Sequence, residues 1–129
     1  MANSFTADLR SFSEKAQRRA RDVARQSIQD VIEDAQTPKA KGGRMPVDTG
    51  FLRNSLVSGI DRNYGAPSPE SYVLTIAGLE IGDTAHFAWT AEYAMAQELG
   101  TSKMAGNHFA GVAAAKWPQI VKANAERVK

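Results

Sequence analysis

The stretch SFTADLRSFSEKAQRRARDVARQSIQDVIEDA, residues 4–35, decides the fold because it predicts one long helix. Apolar or small side chains recur every three or four residues along it, which is the pattern of an amphipathic helix. No Gly or Pro interrupts the pattern before Pro38, and Asn3 or Ser4 can cap the start. At 1.5 Å per residue such a helix is about 45 Å long. The apolar stripe consists of Phe5, Leu9, Phe12, Ala16, Ala20, Val23, Ala24, Ile28, Val31, Ile32 and Ala35.

The next stretch, QTPKAKGGRMPVDTG at residues 36–50, predicts a loop. Gly and Pro break regular structure throughout it, and a loop of this length in a compact domain is either functional or mobile. We therefore expect a flexible segment at about 36–50, with basic side chains at Lys39, Lys41 and Arg44. Asp48 or Thr49 is expected to cap a short helical turn over residues 52–55.

The middle of the chain predicts β-structure, and its end predicts helices. Residues 55–62, 71–78 and 84–90 have the apolar, β-branched and aromatic content of strands. Residues 91–99 predict a short helix ended by Gly100, and residues 108–128 predict a last helix that Pro118 kinks or restarts near Trp117. The order predicts one α+β domain over residues 1–129, with a long N-terminal helix packed on an antiparallel sheet of about three to four strands and a C-terminal helix.

Composition restricts the chemistry. The 129 residues include no cysteine, which rules out a disulfide, a zinc site of the cysteine type and a thiol nucleophile. No stretch has the roughly 20 apolar residues of a membrane span, and the first twelve residues lack the apolar core of a secretory signal. Neither His86 nor His108 belongs to a metal-binding or catalytic motif. We therefore expect no enzyme activity, no cofactor and no metal.

Charge is unevenly distributed along the chain. Residues 1–60 carry ten basic and seven acidic side chains (net +3), residues 61–98 one basic and six acidic (net −5), and residues 99–129 five basic and one acidic (net +4). Unlike patches on neighbouring copies could therefore attract each other, although solvated charges on separate faces would give the same count. Seven basic residues are candidate contacts for a partner or for DNA phosphates: Arg18, Arg19, Arg21, Arg25, Lys39, Lys41 and Arg44.

Two motifs carry a family resemblance. The first is PVDTGFLRNS at residues 46–55, and the second is YAMAQELGTS at residues 93–102, followed by Phe109 and an alanine-rich helix. Together, and in this order, they resemble the tail-component family of long-tailed bacteriophages that includes the lambdoid minor tail protein Z type. The family usually has a basic residue and a Pro before the Phe, where this chain has Asn107 and His108.

The resemblance implies a structural protein of the virion neck, assembled in the host cytoplasm, which completes the tail and joins it to the head connector. Such subunits form rings, in this case expected to be sixfold, around a channel through which DNA passes without sequence-specific binding. The implied partners are connector or stopper proteins and tail terminator or tail-tube proteins, with no membrane involved. A tail terminator or connector stopper is the alternative within this class, and a small basic DNA-binding protein is the alternative outside it.

The motif residues themselves indicate roles in shape. Gly50 permits a tight backbone, Thr101 can hold the turn after Gly100, and Glu98 and Arg53 could pair across the two motifs. Stabilisation of the subunit and direct interface contacts are equally consistent with these roles. The candidate site residues are Pro46, Val47, Asp48, Thr49, Gly50, Leu52, Arg53, Ser55, Tyr93, Ala94, Glu98, Gly100, Thr101 and Phe109.

Overall fold

The computed structural model describes residues 2–46 and 50–128, with side chains from Asp8 onward. Its architecture is α+β, as the sequence predicted, with a long N-terminal helix, two small antiparallel sheets and a helical C-terminus. The elements are α1 (Ala2–Ala35), a 3-10 turn (Lys39–Lys41), α2 (Phe51–Asn54), β1 (Leu56–Ile60), α3 (Tyr72–Ala77), β2 (Ala85–Trp89), α4 (Ala94–Leu99), β3 (Gly100–Thr101), β4 (Met104–Ala105), α5 (Phe109–Ala115) and α6 (Trp117–Arg127).

The four described strands form two antiparallel pairs. Strands β1 and β2 are antiparallel, with Leu56 opposite Trp89 and Ile60 opposite Ala85. Strands β3 and β4 pair over two residues each, with Gly100 opposite Ala105. The strands predicted at 55–62 and 84–90 are thus present with slightly shorter bounds, and they pair directly with each other.

The strand predicted at residues 71–78 is wrong, because this segment is helix α3. Its apolar side chains occupy both strand parities, so alternation could not decide between strand and helix. Burial follows the helical spacing, since Tyr72 is half-buried and Ile76, four residues on, is buried, whereas Leu74 between them is exposed. The Ser71 hydroxyl donates to the Leu56 carbonyl at 2.9 Å, which holds the start of α3 against β1. Tertiary contacts therefore override a β-propensity that is weak in itself.

Helix α1 packs over only part of its length. Ile32 and Ala35 near its end are buried, whereas residues 8–20 are all exposed. Helices α5 and α6 cross the packed part and are separated at Lys116, two residues before Pro118, as predicted for a break near Trp117. The described N-terminal part of the apolar stripe is therefore left at the surface.

A buried polar network joins α1 to α6. The Asn124 amide donates to the Ser27 hydroxyl at 3.1 Å and to the Asp30 carboxylate at 2.9 Å, and both Ser27 and Asn124 are buried. Each of these two side chains occupies an apolar-stripe position of its helix. Paired polar groups on two such stripes fix the register of the helices, because sliding would leave buried groups without partners.

The first ten or so residues of the predicted loop follow a defined path. Met45 is fully buried, its N–H donates to the Thr37 carbonyl at 3.1 Å, and its carbonyl accepts from the Lys39 N–H at 3.1 Å. The Gly43 N–H donates to the Pro38 carbonyl at 3.0 Å. Residues 36–46 are therefore not structureless, since one apolar anchor and several backbone hydrogen bonds shape them. The flexibility predicted for this loop stays a prediction, and Val47, Asp48 and Thr49 lie outside the described residues.

Candidate functional site

The two motifs meet in one apolar cluster. Met45 and Leu52, from the loop and α2, pack with Ala91 and Phe109, which flank α4. The ring of Trp89 meets the ring of Phe109 edge to face, with centroids 5.1 Å apart and planes at 86°. This geometry is favourable for aromatic pairs. Segments separated by more than 35 residues in the sequence are therefore one structural unit.

The first motif turns the chain into β1. Gly50 has φ 79° and ψ 0°, a left-handed conformation that confirms the tight backbone predicted there. Leu52 enters the core, and the Ser55 hydroxyl donates back to its carbonyl at 2.6 Å. The Ser55 carbonyl accepts from both the N–H and the hydroxyl of Thr90, at 3.1 and 2.9 Å. Pro46 is half-buried beside Met45.

A buried glutamine links this motif to the rest of the fold. The Gln36 carbonyl accepts from Arg53 Nε at 3.2 Å, and its side-chain oxygen accepts from Trp89 Nε1 at 3.0 Å. Its side-chain nitrogen donates to the Pro69 carbonyl at 2.6 Å. The sequence placed Gln36 in a polar loop, where nothing distinguishes it from a solvated residue, so this role was missed.

The second motif caps the last helices. The Glu98 carboxylate accepts from the backbone N–H groups of Ala110 and Gly111, each at 2.9 Å, in the first turn of α5. These N–H groups have no partner within their helix, and a carboxylate also suits the positive end of the helix dipole. The predicted pairing of Glu98 with Arg53 is therefore wrong. Within the described residues both side chains bond to backbone groups instead.

Other residues of this motif shape the turn between α4 and α5. Tyr93 precedes α4, where its carbonyl accepts from the Gln97 N–H at 3.0 Å, and Ala94 packs against the apolar cluster. Gly100 ends α4 with φ 86°, and the Thr101 hydroxyl accepts from the Lys103 N–H at 3.2 Å. The helix end at Gly100 and the turn held by Thr101 were both predicted.

His108 stands where the family that this chain resembles usually has a Pro, and its backbone has a conformation that Pro cannot adopt. His108 has φ 53°, and its N–H donates to the Glu98 carbonyl at 3.0 Å. Pro has φ fixed near −65° and no N–H, so it could adopt neither feature. The loop before Phe109 therefore differs here from the path that a Pro at this position would take.

Replacing Glu98 by Ala is expected to lower the free energy of unfolding by about 1–3 kcal/mol, because two hydrogen bonds from backbone N–H groups to a carboxylate, one part-buried and one exposed, are lost. Glu98→Gln keeps one acceptor and should lose less. Urea unfolding of the purified subunit measures both. The matched control is Glu92→Ala, since Glu92 is exposed and makes no hydrogen bond or ion pair within the described residues. Equal losses for Glu92→Ala and Glu98→Ala would contradict the capping role.

Most of the candidate basic contacts on α1 are used within the chain. Arg19 donates to the Val128 and Ala125 carbonyls at 2.9 and 3.0 Å, at the end of α6. Arg25 donates twice to the Leu79 carbonyl, at 3.0 and 2.7 Å. Arg25 and Arg21 also pair with the Glu80 carboxylate at 3.3 and 3.4 Å.

The remaining candidates lie far apart. Arg18 is exposed and has no hydrogen-bonding or ionic partner among the described residues, and the same holds for the side chains of Lys39, Lys41 and Arg44. Arg18 and the end of α1 are separated by 17 helical residues, or about 25 Å. The seven basic residues therefore do not form one continuous patch.

An open apolar groove runs between α1 and α6 on the side of α1 that carries the apolar stripe. Its volume is about 910 Å³, and Lys15, Arg18, Arg19 and Asp22 lie at its edge. Phe12 is 73% exposed and Trp117 is 41% exposed. We call this open groove the α1–α6 groove. Its apolar lining includes Phe12, Ala16, Ala20, Val23, Trp117 and Val121.

The side chain of Tyr72 is half-buried near two carboxylates. Burial and the neighbouring carboxylates of Glu33 and Glu70 raise the pKa of Tyr72 above its usual value of 10.0. A phenol in this setting stays protonated and can hydrogen-bond to Glu33, which helps to attach α3 to α1. Among the described side chains, no group of three His, Cys, Asp or Glu residues is placed to hold a metal ion. No described helix has the length and apolarity needed to cross a membrane.

No protein-family model, curated protein or solved structure matches this chain.

Proposed function

We propose that this chain is a structural subunit of the neck of a long-tailed bacteriophage, which completes the tail and joins it to the head connector. The observation that carries the proposal is the meeting of the two motifs around Leu52 and Phe109. A resemblance that extends to the fold requires its motifs to act together.

The motif side chains support a scaffold rather than a reaction. Glu98 caps α5, Arg53 and Ser55 bond to backbone carbonyls, and Gly50 and Gly100 provide special backbone conformations. Each of these roles fixes shape. The proposed subunit is therefore not an enzyme, and it works as a homo-oligomeric ring, expected to be sixfold, between connector or stopper proteins and tail terminator or tail-tube proteins.

The geometry does not favour the DNA-binding alternative. Arg19, Arg21 and Arg25 are occupied within the chain, and Arg18 is about 25 Å from the start of the basic loop. Phosphate binding gains affinity when several cations contact neighbouring phosphates, which this arrangement does not offer on one face.

Deleting the gene from the phage genome that encodes the chain should leave DNA-filled heads and finished tails that do not join. The physical reason is that a neck ring supplies the only contact between two separately assembled structures. Electron microscopy counts joined and separate particles, and plaque titre measures infectivity. Supplying the wild-type chain from a plasmid should restore both. Normal joined particles without the chain would overturn the proposal, and DNA retention that falls steeply with salt would favour the binding alternative.

A further inference from the structure

The first half of α1 projects beyond the helix that packs on it. Helix α6 runs antiparallel to α1, since Lys116 donates to Asp34 and the Val128 carbonyl accepts from Arg19. Helix α6 therefore ends beside Arg19, and the preceding part of α1 extends past it. We call residues 2–18 of α1 the N-terminal arm. At 1.5 Å per residue the arm is about 25 Å long.

The arm carries an apolar stripe that the described part of its own chain leaves uncovered. All described side chains of the arm are exposed, with Leu9 at 55% and Phe12 at 73%. A helix of this length is marginally stable in water by itself, and helices in proteins gain most of their stability by packing an amphipathic face. The arm therefore favours a partner that covers this stripe.

The stripe has the heptad spacing of a two-stranded coiled coil. Leu9 and Ala16 occupy position a, and Phe12 occupies position d. Beside this seam, Asp8 and Lys15 occupy position g, where charged side chains set partner choice and orientation. Neither Asp8 nor Lys15 has a hydrogen-bonding or ionic partner among the described residues. Both charges are therefore available to a second helix.

We infer that two copies of this chain pair through their N-terminal arms, with the arms antiparallel. An antiparallel pair sets a positions opposite d positions and g positions opposite g positions. Leu9 then packs on the partner's Phe12, and Asp8 lies beside the partner's Lys15. The two-fold axis repeats both contacts, which gives two apolar layers and two pairs of opposite charge. The same register sets position 5 of the sequence stripe opposite Ala16.

The charges at position g select this register over its alternatives. Sliding the arms by one heptad in one direction brings Lys15 beside the partner's Lys15. Sliding them by one heptad in the other direction brings Asp8 beside the partner's Asp8. Parallel arms would set Asp8 near Ser13 and Lys15 near Ala20, where no charges pair. Like charges in contact are unfavourable, so only the inferred register pairs every g-position charge of the arm with an opposite one.

The length of the arm fits the same register. Position 2 of the partner lies opposite position 19, which is where α6 ends. The partner's arm therefore continues the line of α6 along α1 and covers the end of the α1–α6 groove at Phe12 and Ala16. The register in which Lys15 meets the partner's Lys15 would instead drive the partner's arm into α6.

The pairing concerns the free subunit and does not rest on the proposed neck function. Its contact is isologous, so it joins two copies and cannot by itself close a ring of head-to-tail contacts. Gene deletion tests the neck function, whereas the self-association of purified protein tests the pairing. Either one can fail without the other.

Charge reversal in purified protein tests the register. The variants Asp8→Lys and Lys15→Asp each place like charges together twice, so each should weaken the dimer several-fold at low salt, where screening is weak. The double variant Asp8→Lys/Lys15→Asp exchanges the two charges and should restore dimerisation. The matched control is Arg10→Asp, which changes the net charge as Lys15→Asp does. Arg10 is exposed, has no partner among the described residues and lies at position b, away from the seam, so its reversal should leave the affinity nearly unchanged.

Substitution of the apolar seam tests the surface itself. Phe12→Asp should convert the dimer to a monomer, whereas Met95→Asp, at a 70% exposed apolar position on α4, should leave the dimer intact. Sedimentation equilibrium measures the dissociation constant of every variant, and circular dichroism checks that each one folds. Wild-type protein that stays monomeric when concentrated would overturn the inference. So would equal weakening by Lys15→Asp and Arg10→Asp, a double variant no tighter than the single variants, or a dimer that Met95→Asp disrupts and Phe12→Asp does not.

Discussion

Replacing Phe109 by Ala is expected to lower the free energy of unfolding by about 3–5 kcal/mol. Phe109 is 3% exposed, and it fills the cluster formed by Met45, Leu52 and Ala91. The substitution removes the transfer free energy of a buried ring and leaves a cavity that the surrounding backbone can close only in part. It also removes the edge-to-face contact with Trp89. A domain of ordinary stability, about 5–15 kcal/mol, would be left with little margin.

The matched control for this prediction is Phe12→Ala. Phe12 is the same residue type at an exposed position, so its loss should change the unfolding free energy by about 0.5 kcal/mol or less. Urea unfolding followed by Trp fluorescence measures both variants. If Phe109→Ala costs no more than Phe12→Ala, the cluster is not the point at which the two motifs stabilise the fold.

The sequence predicted elements whose signals are local and long. Helix α1 was predicted over residues 4–35 and spans Ala2–Ala35, because its stripe repeats over more than thirty residues. The break before α6 was also predicted, because Pro118 has an intrinsic conformational effect. The α+β class follows from the order of the elements. The direct pairing of β1 with β2 was not predicted, because residues 71–78 were expected to form a strand between them.

The sequence could not predict features that depend on distant partners. Helix α3 was predicted as a strand, because the contacts that decide its state come from α1 and β1. The capping role of Glu98 needed the position of α5, which begins eleven residues further on, and a polar residue gives no sign of which N–H groups it will meet. The exposure of Phe12 was hidden for a similar reason. An apolar stripe predicts that a face is covered, and it does not say whether the same chain or a second copy covers it.

Replacing Gly100 by Ala is expected to cost about 3 kcal/mol, the upper end of the range for a residue forced into a conformation that only Gly adopts readily. Gly100 has φ 86° and ψ 176°. A Cβ atom there would lie 2.5 Å from the Gly106 nitrogen and 2.7 Å from the Met104 oxygen. Both are backbone atoms, so the β3–β4 pair would have to open to make room.

The control Gly42→Ala has a positive φ but lacks both the close approach and the unusual ψ of Gly100, since ψ is 4° at Gly42 and 176° at Gly100. Gly42 also has φ 86°, but no atom lies within 4 Å of the position its Cβ would take. Ala at position 42 should therefore incur only the left-handed backbone cost of about 1–2 kcal/mol. Thermal or urea unfolding of the two variants gives the difference in their free energies of unfolding. Equal losses would show that the β3–β4 turn deforms at little energetic cost.

The Gly100→Ala variant should also weaken the cap on α5, because the turn that follows Gly100 positions the segment leading to Ala110. Asn107 and His108 donate to the Gln97 and Glu98 carbonyls on either side of this turn, at 2.7 and 3.0 Å. Opening the β3–β4 pair would move these donors and the start of α5 away from the Glu98 carboxylate. The losses for Gly100→Ala and Glu98→Ala should therefore overlap, so that the double variant is less destabilised than the sum of the two single variants. Strict additivity in that double-mutant cycle would mean that the turn at Gly100 and the cap by Glu98 stabilise the subunit independently. The second motif would then consist of two parts without energetic coupling.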